Sequence, residues 1–69
     1  MATVSKEMAD KIIAGGGYFA DDPQVKQVVC YINMVGEIAY AILYDHDVAA
    51  DRYAPSPFVR NPKIIWRAK

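Results

Sequence analysis

The groups best suited to gripping a ligand crowd the end of the chain. Arg52, Arg60, Lys63, Arg67 and Lys69 are interleaved with Tyr53, Phe58 and Trp66, and no acid interrupts them. Cations partner phosphates and aromatic faces stack on bases, so the chemistry this pattern offers is nucleic-acid binding. Arg52, Arg60, Lys63, Trp66 and Arg67 are the candidate binding residues, and an acidic protein partner would satisfy the same cations. The sequence pI of about 6.5 lies far below the basic values of nucleic-acid modules. No RRM, KH or zinc-finger spacing is present, and Trp66 beside Ile64 and Ile65 has the setting of a core residue.

Catalysis requires a nucleophile, a base or a metal held in a pocket, and the rest of the chain offers little of this. Asp45, His46, Asp47 and Asp51 are metal ligands by type. Neighbouring side chains on a loop or strand scatter, however, and the calcium-loop pattern with its glycine and closing glutamate is absent. The segment 45–51 reads as a solvated loop. His46 has no partnered nucleophile, because Cys30 lies inside an apolar run. Gly15, Gly16 and Gly17 follow a predicted helix and so present its carbonyls, whereas a phosphate-binding loop precedes its helix. Tyr18, Tyr31, Tyr40 and Tyr44 offer hydroxyls to a small-molecule pocket, but they read first as packing residues. The expectation is no catalytic residue, no metal and no cofactor.

The elements that position these groups must come from one small domain spanning residues 1–69. A chain of this size buries only about 60% of its unfolded surface, and such a core supplies roughly 3–5 kcal/mol. One cysteine excludes an internal disulfide, and 54% apolar residues leave self-association as the available staple. Charge is uneven although the total is zero. Residues 1–51 carry three lysines against all eight acids, a net −5, and the remainder carries +5. The N-terminus has no signal-peptide pattern, and Asn33, Gly36 and Glu37 interrupt the most apolar stretch, so no membrane span is expected. A single unpaired thiol fits a cytoplasmic setting.

Ser5–Ala14 is the best helix. Thr3 or Ser5 supplies the cap, Met8 and Ile12 share a stripe with Val4 or Ala9, and the glycines end it. Asp21-Asp22-Pro23 makes a turn. Residues 23–32 admit a helix capped by Asp22, but their Val, Ile and Tyr content favours a strand. Asn33 suits the start of a type I turn and Gly36 the left-handed residue of a bulged hairpin. The register then sets Ile32 opposite Ile38, Cys30 opposite Tyr40 and Val28 opposite Ile42. Arg52-Tyr53-Ala54 is a short strand candidate, Ser56–Arg60 a helical turn, Asn61-Pro62 a turn and Lys63–Arg67 a final edge strand.

The predicted fold is therefore α+β: an N-terminal helix on an antiparallel sheet of three or four strands, centred on a hairpin of residues 25–33 and 37–44. A small SH3-like half-open barrel is the alternative. The hairpin is apolar on both faces, with Val28, Cys30, Ile32, Ile38, Tyr40, Ile42 and Tyr44 on one side. Val25, Val29, Tyr31, Ala39, Ala41 and Leu43 fall on the other. One helix covers one face, which makes Val29, Tyr31, Ala41 and Leu43 the candidate self-association residues. The expected role is a non-catalytic accessory or interaction protein forming a homo-oligomer, a dimer by default, with nucleic-acid binding as the alternative.

Overall fold

The computed structural model describes residues 2–18, 21–49 and 59–69. They form an α+β fold in the order β1 (Ala2–Val4), α1 (Lys6–Ala14), β2 (Gln27–Ile32), β3 (Ile38–Leu43), α2 (Asp45–Ala49) and β4 (Arg60–Arg67). The strands make one antiparallel sheet ordered β1-β3-β2-β4. Among the described residues β1 and β4 are the outer strands and do not pair with each other, so the sheet is open and the half-open barrel does not form. Among the described residues no helix is long and apolar enough to cross a membrane.

The β2–β3 hairpin is fixed by its turn. The Asn33 carbonyl accepts the Gly36 N–H at 3.0 Å, and its side-chain Oδ1 accepts the Val35 and Glu37 N–H groups at 3.1 and 2.9 Å. Gly36, at φ +83°, takes the left-handed position that a side chain would disfavour. The expected register follows: Ile32 pairs with Ile38, Cys30 with Tyr40 and Val28 with Ile42. The strands are shorter than 25–33 and 37–44. Residues 23–26 are neither strand nor helix, although the Lys26 N–H donates to the Leu43 carbonyl at 2.8 Å. Val25 consequently packs on the helix side with Ala9, Ile12, Val28 and Ile42, not on the opposite face.

Ser5 caps α1, its Oγ accepting the Met8 N–H at 3.1 Å. Lys6–Asp10 and Lys11–Glu7 ion pairs at 3.0 and 3.9 Å line the exposed side, where solvent screens them. Ala9 and Ile12 are buried on the sheet, and covering a side chain such as Ile12 contributes about 1.5–3 kcal/mol. At the far end Gly17 N–H bonds the Ile12 carbonyl and Gly16 N–H the Ile13 carbonyl, at 2.9 and 3.1 Å. These are the two bonds of a Schellman stop. Gly17 has a second duty. At φ +93°, a Cβ there would lie 2.7 Å from the Val25 carbonyl oxygen and 2.8 Å from Trp66 Cη2.

Three elements depart from the sequence reading. β1 is a strand because the outer edge of β3 is open to it, pairing Ala2 with Ile42, Thr3 with Ala41 and Val4 with Tyr40. Asp45–Ala49 is a short helix instead of a solvated loop. Asp47, three residues after Tyr44, reaches back to accept the Tyr44 N–H at 3.1 Å, as the acid of a capping box does. Asn61-Pro62 lies inside β4 and makes no turn. Asn61 takes φ +49° and the register against β2 shifts between Cys30 and Ile32, so the proline, which has no N–H to give, sits in a bulge. Of the remaining expectations, Arg52-Tyr53-Ala54 and most of the Ser56–Arg60 turn lie outside the described residues, while Arg60 itself is in β4.

Candidate interaction surface

The two sheet faces are covered very differently. On the side away from α1, Val29, Ala41 and Leu43 are fully buried and Tyr31 nearly so, in one cluster with Val59. Ala39, Val48 of α2 and Ile64 of β4 pack against it. The four residues expected to form a self-association contact are thus interior residues. The premise that only α1 could cover a face was incomplete, because α2, Val59 and Ile64 of β4 serve the second one.

The β4 bulge between its Val28 and Val29 pairings makes this possible. Trp66 pairs with Val28 and Ile64 with Val29. In a regular strand these two residues, two positions apart, would share one face, and the bulge at Ile65 breaks that alternation. With it, Trp66 packs on the helix side and Ile64 on the opposite side.

On the helix side the coverage stops halfway. A nine-residue helix is about 13 Å long and about 10 Å across, while six-residue strands run about 20 Å. α1 lies over Val28 and Ile42, with Tyr40, Tyr44 and Trp66 packed around the cluster. Towards the hairpin end, Cys30 and Ile32 are half-buried and Ile38 is 67% exposed. A shallow concavity of about 510 Å³ opens there, lined by Cys30, Tyr31, Ile32, Ile38, Asn61, Pro62 and Lys63. The sequence placed Cys30, Ile32 and Ile38 under the helix. Comparing helix length with strand length was the signal that could have left them open.

The basic candidates do not converge. Lys63 pairs with Cys30 and Arg60 with Ile32, so the register sets both beside the open patch. Arg67 pairs with Gln27, whose cross-strand partner Leu43 belongs to the opposite face. Trp66 is half-buried and packs against the helix-side core. Arg52 lies outside the described residues. Among the described residues Arg60, Lys63, Arg67 and Lys69 form no ion pair with the acid-rich body.

The acid and histidine segment forms a second surface feature. His46 stacks on Tyr44 with ring centroids 6.0 Å apart, and its Nε2 lies 3.5 Å from Asp47 Oδ1. Asp47 is buried while His46 is exposed. Burial pushes the Tyr44 phenol above its usual pKa, helped by the charges of Asp22 and Asp47. Among the described residues no three His, Cys, Asp or Glu side chains are grouped to hold a metal ion. No family model, curated protein or solved structure matches the chain.

Proposed function

We propose that the protein is a non-catalytic interaction protein that pairs with a second copy of itself through the hairpin end of its helix-side face. The observation that carries this reading is Ile38, 67% exposed on a central strand of the sheet beside half-buried Ile32 and Cys30. An apolar patch in that position gains by being covered.

Charge supports a second copy as the occupant. The formal net charge is zero, so two copies do not repel one another as wholes. Each carries free charges of both signs. Arg60 and Lys63 border the patch, while Asp21, Asp22, Glu37 and Asp45 are exposed, and among the described residues none of these six forms an ion pair. The small core supports it too, since a chain of this length gains stability by burying more surface against a partner. A two-fold contact is the default between identical chains. The lone Cys30 thiol suits a reducing compartment such as the cytoplasm.

Cys30 also supplies the test, because it lines the patch and is the only cysteine. Its rate of alkylation by N-ethylmaleimide should fall several-fold as protein concentration rises through the association range. A rate independent of concentration, from nanomolar to high micromolar protein, would overturn the proposal.

A further inference from the structure

We draw no further inference here: the strongest candidate, the concavity of about 500 Å³ where Asp22, Lys26, Tyr44, Asp45 and His46 meet beside the five-residue helix α2, consists of exposed or half-buried groups, and nothing in the structure says what ligand it would take.

Discussion

The two faces of the sheet start from nearly the same sequence material and end in opposite states. Val29, Tyr31, Ala41 and Leu43 are sealed by α2, Val59 and Ile64, three short contributions from separate parts of the chain. Val28 and Ile42 are sealed by one regular helix, yet Cys30, Ile32 and Ile38 on the same strands are left over. Covering a face depends on where covering atoms land, not on how regular the covering element is. The helix is well capped at both ends and too short; the irregular elements are weak individually and sufficient together.

Substitutions should separate the two faces clearly. The largest loss is expected at Leu43, which is fully buried on the sealed face. Leu43→Ala should cost about 3 kcal/mol in denaturant unfolding, through lost transfer energy and the cavity left behind. Ile38→Ala, by contrast, should change monomer stability by less than about 0.5 kcal/mol. Equal losses at the two positions would erase the distinction between sealed and open.

Gly17→Ala should come next. It adds a methyl group where the Val25 carbonyl and the Trp66 ring already meet, at a left-handed backbone position. A loss of about 2 kcal/mol is expected, against about 1 kcal/mol for Gly16→Ala, which is also left-handed but has open space around it. Near-ultraviolet circular dichroism of the single tryptophan gives a direct readout, because only the Gly17 change should disturb the packing of Trp66.

Asp47→Ala should cost about 1 kcal/mol by leaving the Tyr44 N–H without its carboxylate acceptor. Its effect should be local. Amide hydrogen exchange should quicken in α2 and in the sealed face under Val48, while α1 and the helix-side cluster keep their protection. Uniform acceleration over the whole chain would mean that α2 does not serve one face in particular.

Lys63→Glu should have the smallest effect on folding, since the side chain is exposed and makes no ion pair among the described residues. It sharpens the comparison differently, by weakening association at the open patch about three- to tenfold, as a rim charge does. Arg67→Glu, whose register position lies on the other side of the sheet, should leave association unchanged.

What the sequence made legible follows from how local each signal is. The Asn33–Gly36 turn needs only its own residues to form, and it fixed every pair of the hairpin register. Ser5 and the glycines after Ala14 likewise bounded α1 by hydrogen bonds within a few positions. β1 has three residues and no alternation of its own, so only the edge of β3 makes it a strand. α2 combines a one-residue capping contact with tertiary packing of Val48, and the acids that cap it read equally well as a solvated loop. The bulges of β4 were least legible. Asn61-Pro62 has the composition of a turn, and nothing in Ile64-Ile65-Trp66 announces that one extra residue will send Ile64 and Trp66 to opposite faces. The candidate site inherited those misses: the open apolar surface was expected on the face that α2, Val59 and Ile64 cover.

The most direct test of the account is the solution mass of the wild-type chain and of Ile38→Glu, by light scattering over a micromolar concentration series. The wild type should rise from 7.7 kDa towards twice that mass, and Ile38→Glu should stay at the monomer mass while remaining folded. A wild type that is monomeric throughout, or an Ile38→Glu variant that associates as readily as the wild type, would contradict it.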